Sequence, residues 1–468
     1  MILIIVSAAF AAGCGGGEPE GPPDGRLQRV VDGLTQDVFV GSGLTGQRQL
    51  FHVPGSALTV DSPDGGSRTF VSGDSSLAGE SPVQADRVQP IGSNTKVVTA
   101  VLVMRLVEQG KLRLRQRLPS IAVRYQRDGG PLARLVRGFR GKLNDVELRE
   151  LLDHTSGLAD CLDTPGFFKA FARRPLASYS LAQLATYGLA EPPVFKPGAP
   201  GKWNYSNTDY MLLGLVIEAV TGDSVDEQMR DLFEEAGMDS AYYAPSVQAM
   251  RRQPLSSSLI NGYVPVPPGA TGPPSVFNAF APAPTAAAIL SRPRAVQIVS
   301  SNPTESGPTV KVSRADPRQA KQVGRHSRFR YRDVTHAYSQ SIGQSAGGIV
   351  TDTDDLARFW RALFDGELVS RRTLHQMQQT VPTGENSKGV KTTWGFGFGR
   401  QQIAPGVLWK GSPRFTAWMH AGDIFGYASA AYYVPQEDLV VTNTINLWPT
   451  PIGDLGLLRE VLRAYSSS

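Results

Sequence analysis

Three short stretches carry side chains that together could break a carbonyl bond. The first is Gly92-Ser93-Asn94-Thr95-Lys96, which opens a mostly apolar run from Val97 to Val107. On a helix, residues three apart lie on one face a turn apart, so the Lys96 amine can reach the Ser93 hydroxyl. A helix apolar almost all round is a buried one, and burial disfavours the charged ammonium. A neutral amine beside a serine can act as its general base, and the helix N-terminus favours negative charge developing there. Read alone, Ser-x-x-Lys is common, and a capping serine followed by a lysine that snorkels to solvent is the plainer reading.

The second stretch is Tyr205-Ser206-Asn207, immediately ahead of the apolar segment "NTDYMLLGLVIEAVTG". A loop there lets a phenol point inward and lets an asparagine orient a lysine or a substrate amide. A packing aromatic and a capping asparagine fit the same letters. The third is His420-Ala421-Gly422 inside "WMHAGDIFGYASAAYYV", a strand-like run. Gly422 would let a substrate backbone approach closely. A histidine at a strand end near a turn is the plainer reading.

Strands and helices must bring these stretches together. "LQRVVDGLTQDVF" has helical spacing, and "LFHVPGSALTVDSPDGGSRTFVSG" predicts strands around an Asp64-Gly65-Gly66 turn. The helix after Ser93 ends at Gly110. Residues 111–142 show no clear periodicity. "DVELRELLDHTSGL" predicts a short amphipathic helix with Leu148, Leu151 and Leu152 on one side. Asn207 or Thr208 would cap the next helix and Gly222 would end it. "SAGGIVTDTDDLARFWRALFDG" predicts a helix capped by Thr351 or Asp352. "FTAWMHAGDIFGYASAAYYVPQEDLVVTNTIN" reads as a β-meander, and "LGLLREVLRAY" as a closing helix. Strands near both ends with helices between predict an α+β fold: an antiparallel sheet built from both termini, flanked by helices, with a mainly helical region inserted. Residues 245–338, rich in Pro, Ala and Arg, predict an insertion that is disordered or draped over the surface.

Ser-x-x-Lys, Tyr-x-Asn and His-x-Gly occur once each and in that order. Together they resemble the serine β-lactamase and penicillin-binding protein family, and most of all its branch of class C β-lactamases, D-alanyl-D-alanine carboxypeptidases and esterases. "LRELLDHTSGL", "PGAPGKWNYSNTDYMLLGLVIEAVTG" and "SAGGIVTDTDDLARF" extend the likeness to roughly residues 27–240 and 340–465. The resemblance implies a β-lactamase-like fold over residues 27–465. It also implies that Ser93 is acylated, that Lys96 is its base and that Tyr205 is a second proton-transfer group. Asn207 would orient lysine or substrate, and His420 would stand where the family has a strand cation or hydrogen-bonder. The amides of Ser93 and Asp423 would form the oxyanion hole. Two departures bear on the substrate. Ala421 replaces a hydroxyl residue that helps hold a substrate carboxylate, and Asp423 would repel an anion if it faced the cleft. Both point away from β-lactams and D-Ala-D-Ala peptides and toward an ester, or an amide without that carboxylate. The alternative from another class is a non-catalytic ligand- or peptidoglycan-binding protein on the same fold.

Gly343-Gln344-Ser345-Ala346-Gly347 fits the nucleophile elbow of α/β-hydrolases, but it lacks a hydrophobic strand before it and a helix after it. "GVKTTWGFG" nearly repeats a Lys-Thr-Gly strand around Lys391, with Thr393 in place of the glycine. Cys161 lies in a loop without a basic partner. The six histidines have no metal-ligand spacing, so no metal and no cofactor is implied. Eleven Lys/Arg face two acidic residues between Arg105 and Lys142. No zinc-ligand spacing, RNA-binding aromatic signature or basic-helix pattern goes with them, so they predict a solvated surface, not a nucleic-acid site. "MILIIVSAAFAAGC" is too short to span a bilayer, which takes about 20 residues, and has the length of a signal-peptide core. Ala11-Ala12-Gly13-Cys14 resembles a bacterial lipoprotein signal, which implies lipidation of Cys14, residues 15–26 as a tether and a place in the cell envelope.

Overall fold

Nine antiparallel strands form one sheet among the described residues. They are β1 (Gly55–Ser62), β2 (Gly66–Ser76), β3 (Ser81–Pro82), β4 (Val381–Ser387), β5 (Val390–Trp394), β6 (Gly399–Ile403), β7 (Phe415–Ile424), β8 (Tyr427–Val434) and β9 (Leu439–Ile445). Their spatial order is β4-β5-β6-β7-β8-β9-β1-β2-β3. The computed structural model describes residues 23–35, 37–41, 48–78, 81–126, 129–244, 258–266, 309–311, 330–387, 389–448 and 455–466. The seam between the late and early parts of the chain is β9 on β1, with Val441 opposite Val60. The sheet is therefore built from both ends of the sequence, as expected.

Side-chain alternation gives this sheet two cores. Ala430 and Tyr432 of β8 and Val441 of β9 pack under α1 (Pro23–Leu34) and α7 (Leu455–Ser466), against Leu27, Val31, Leu458 and Leu462. Their neighbours Ala431 and Val440 face the other way. They join Leu356 and Trp360 of α6 (Thr353–Asp365) and the helical region beyond it. Asp352 caps α6, accepting from the Asp355 amide at 2.8 Å. Truncating one of these buried leucines to alanine would cost about 2–5 kcal/mol.

The helical region is organised by α2 (Thr95–Glu108), α3 (Leu148–Leu152) and α4 (Asn207–Thr221). Three expectations need correction. Residues 111–142 hold three helices, 118–126, 131–138 and 140–143. The signal was present: Leu132, Leu135 and Val136 share one buried face while Arg134 and Arg137 point outward. The first helix starts at Pro23, inside the stretch read as tether. It stops at Leu34, so Asp37–Gly41 is a strand paired with Arg48–His52 and not more helix. The 245–338 insertion contributes a three-stranded sheet of Tyr263–Val266, Thr309–Lys311 and Arg330–Asp333. Tyr263 and Tyr331 are fully buried there against Ala428 of β8, so this part of the insertion is anchored by aromatic burial.

Candidate active site

Ser93 does not sit inside the helix. It occupies a 3-10 turn, Gly92–Asn94, that feeds into α2, and Lys96 is the second residue of α2. Two glycines press this turn onto β7. Gly92 has φ +50°, and a Cβ there would lie 2.8 Å from the Asp423 amide nitrogen. A Cβ on Gly422 would lie 1.9 Å from the Ile91 carbonyl oxygen. Gly422 therefore makes room for Ile91. Asn94 Nδ2 donates to Ser429 Oγ at 2.7 Å, and Ser429 Oγ donates to the Ile91 carbonyl at 2.7 Å. The nucleophile turn is thus fixed to the sheet by glycine-permitted backbone contact and by the Asn94 and Ser429 side chains.

Lys96 is fully buried and its Nζ has three polar neighbours: Ser93 Oγ at 3.0 Å, Asn207 Oδ1 at 2.8 Å and the Ala346 carbonyl oxygen at 2.8 Å. The two carbonyl oxygens can only accept. A neutral amine has two N–H donors and one lone pair, so those acceptors take both protons and aim the lone pair at Ser93. Burial lowers the Lys96 pKa from 10.5 to about 7, opposed by Asp160, Cys161 and Asp209. The neutral form is accordingly populated near neutral pH. Asn207 is the first residue of α4, with Ser206 in the capping position, so its side chain is free for this role. Its Nδ2 donates to both oxygens of buried Asp160, at 3.0 and 2.8 Å, which fixes its Oδ1 toward Lys96. Asp160 and the Ala346 carbonyl are the components that reading the sequence missed.

Tyr205 stands on the open side of this cluster. The Lys96 nitrogen lies 4.9 Å from its ring centroid, and its buried hydroxyl makes no well-formed hydrogen bond among the described residues, with the Ser93 hydroxyl close by. Burial pushes the phenol above its ordinary value, while the nearby Ser93 hydroxyl opposes that shift. It is therefore a neutral phenol that can pass a proton on. Trp394, at the end of β5, packs at 5.8 Å from Tyr205 and 5.2 Å from His420. The near-miss strand thus delivers an aromatic wall, while Lys391 is exposed.

His420 is buried on β7. Its Nδ1 lies 2.6 Å from the Ala421 carbonyl, which can only accept, so Nδ1 carries the proton. Nε2 is then a bare lone pair, buried and without a partner among the described residues. Burial and Lys96 lower the His420 pKa to about 3. Of the two roles expected for His420, the structure fits the hydrogen-bonder and not the cation. Ala421 packs toward the core under α1 and α7. Asp423 is exposed, though surrounding atoms partly desolvate its carboxyl and push it up.

The other candidates fall away on geometry. Ser345 lies on α5 (Gln344–Gly347), fully buried, with Oγ donating to the Tyr210 carbonyl at 2.7 Å. Cys161 is buried beneath the site and its thiol is pushed well up by burial. Cys14 lies outside the described residues.

Comparison with known proteins fits this geometry. The family model described as Beta-lactamase matches residues 48–464. Penicillin-binding protein 4 of Amycolatopsis lactamdurans is 33% identical over 211 residues, 44% of this chain and 49% of that protein. Lovastatin esterase of Penicillium rubens is 28% identical over 221 residues, 44% of this chain and 50% of that protein. The chain thus spans about half the length of the curated relatives it matches. A D-stereospecific amidohydrolase from Streptomyces sp. shares the fold, with a TM-score of 0.60 and 21% identity over 94% of this chain and 97% of that one.

Proposed function

This chain belongs to the Beta-lactamase family, and on that premise we propose that it is a serine hydrolase forming an acyl-enzyme on Ser93 from an ester or amide. One observation carries the reading. Lys96 Nζ lies 3.0 Å from Ser93 Oγ, with its two protons claimed by Asn207 and Ala346. Ser93 Oγ would attack the carbonyl carbon as its proton passes to Lys96. Charge building on the carbonyl oxygen would be met by the amides of Ser93 and Asp423, a pairing supported by the close packing of Gly92, next to Ser93, on the Asp423 backbone. The Tyr205 hydroxyl, close to Ser93, would hand a proton to the leaving group. Water or another acceptor would then release the acyl group by the reverse sequence.

The substrate reading follows from His420. Its lone pair would repel a carboxylate and accept from an N–H or O–H group. This supports an ester or amide carrying a hydrogen-bond donor at that place over a β-lactam or D-Ala-D-Ala peptide. A panel of p-nitrophenyl esters, amino-acid amides, nitrocefin and D-Ala-D-Ala peptides tests it. Preferential turnover of nitrocefin or the peptides would overturn the substrate reading. A fluorophosphonate or fluorescent penicillin should label the wild-type protein and not Ser93→Ala. A folded protein that neither probe labels would favour a non-catalytic binding role. Envelope anchoring through Cys14 is part of the proposal, and the mass of the mature N-terminus in membrane fractions tests it.

A further inference from the structure

Behind Tyr205 lies a buried pair that the reaction above does not use. His154 directly follows the Asp153 cap of α3 and has a left-handed backbone, φ 63°, unusual for a non-glycine residue. It is fully buried, as is Asp209 on α4. The His154 carbonyl accepts from the Asn204 amide at 3.1 Å, and its Nδ1 accepts from the Ser206 amide at 3.3 Å. One residue thus holds the chain on both sides of Tyr205. Its ring also lies against the Tyr205 ring, centroids 4.5 Å apart.

The same Nδ1 lies 3.0 Å from Asp209 Oδ2. The Ser206 N–H points at Nδ1, so that nitrogen carries a lone pair and no proton, and the proton between Nδ1 and Oδ2 belongs to Asp209; the two donors share the lone pair, the 3.3 Å contact from Ser206 being the weaker. We infer that His154 is a positioning residue for Tyr205, held in its Nε2–H tautomer by a neutral, protonated Asp209. This rests on the acyl-transfer reading for its functional meaning.

The contacts of the carboxyl agree, while Nε2 has no acceptor among the described residues and its N–H is surrounded by the Trp203, Tyr205, Tyr210 and Trp394 rings. Asp209 Oδ1 accepts from Ser156 Oγ at 2.6 Å, which leaves Oδ2 as the oxygen that carries the proton. Burial pushes the Asp209 carboxyl well up, helped by Asp153 and Asp160 and opposed by Lys96 and the Ser156 hydroxyl. Burial, Lys96 and His420 hold the His154 imidazole neutral. A neutral Asp209 matters to the base as well, because its negative charge would draw Lys96 back toward the ammonium form. Pinning Tyr205 matters because a displacement of about 1 Å can cost on the order of 100-fold in rate.

The test uses the full chain. With 15N-labelled histidine, the His154 resonances, assigned by their loss in His154→Asn, should report a neutral Nε2–H ring throughout about pH 5 to 9. An Nδ1–H ring or an imidazolium in that range overturns the inference, whatever the enzyme's activity. Kinetics add the functional arm. Asn places its amide oxygen where Nδ1 was, so His154→Asn should retain kcat within about fivefold. Gln reaches the Nε2 position instead, so His154→Gln should lose kcat on the order of 100-fold with KM nearly unchanged. Equal losses in the two folded variants, or a loss confined to KM, would count against positioning. Asp209→Asn still donates to Nδ1 and should leave the acid limb of the pH–rate profile in place. A downward shift of about one pH unit would mean that Asp209 was ionised all along. If the wild-type protein forms no acyl-enzyme, the reaction reading fails, and the resonance measurement still decides the tautomer.

Discussion

Two serines in this chain stand in hydrolase-like patterns, Ser93 in Ser-x-x-Lys and Ser345 in Gly-x-Ser-x-Gly. Both are buried, and each holds a short polar contact. They differ in what that contact can do. The neighbour of Ser93 is an amine that can take a proton. The neighbour of Ser345 is the Tyr210 carbonyl, which cannot take one at neutral pH and fixes the hydroxyl inside the packing of α2 and α4. A nucleophile is defined by its acceptor more than by its motif. The two sites are also joined, since the residue after Ser345 lends its carbonyl to Lys96. The turn that looked like a rival active site is part of the wall of the real candidate.

Substitutions can break this contrast. Ser93→Ala should abolish covalent labelling and reduce hydrolysis at least about 10⁴-fold; residual labelling at full stoichiometry would transfer the role elsewhere. Lys96→Ala should cost about 10²–10⁴-fold in acylation, read by single-turnover labelling. Lys96→Arg should be no better, because a guanidinium does not release its proton. In the wild type, kcat/KM should rise about tenfold per pH unit below pH 7 and level off above, since only neutral Lys96 accepts the serine proton and its pKa is about 7. A rate that falls through that range would contradict the sign. Asp160→Asn frees the Asn207 amide to turn, so acylation should slow about tenfold. Because Asp160 raises the Lys96 pKa, the acid limb should also move to lower pH. Smallest of all, Ser345→Ala should leave labelling within about twofold, and because the Tyr210 carbonyl keeps its bond within α4, loss of the Ser345 hydrogen bond should cost only about 0.5–1.5 kcal/mol of stability in denaturant unfolding.

Ser93, Lys96, Tyr205 and Asn207 were legible because each needs its own side chain at fixed spacing from a helix start. The meander and the two-terminus sheet were legible from alternation and turn residues. Asp160 was not, because nothing in "GLADCLD" distinguishes a carboxylate that holds Asn207 from one that starts a turn. Ala346 contributes only a carbonyl, which no residue type announces. Gly422 was read correctly as a close approach, but the partner is Ile91 from across the fold. The insertion misled for a compositional reason: its Pro/Ala texture hid Tyr263 and Tyr331, which anchor it to the sheet.

The contact between Gly92 and Asp423 has a consequence in time. Ser93, Lys96, Tyr205 and Asn207 all leave the ribosome before β7 is made, and chains are built from the N-terminus onward at about 5–20 residues per second. Until the strand bearing Asp423 arrives and docks on the Gly92 turn, the nucleophile and base have only one of the two amides proposed to steady the oxyanion. The nascent chain therefore carries its reactive serine through most of synthesis in an unarmed state, and the late strand completes it.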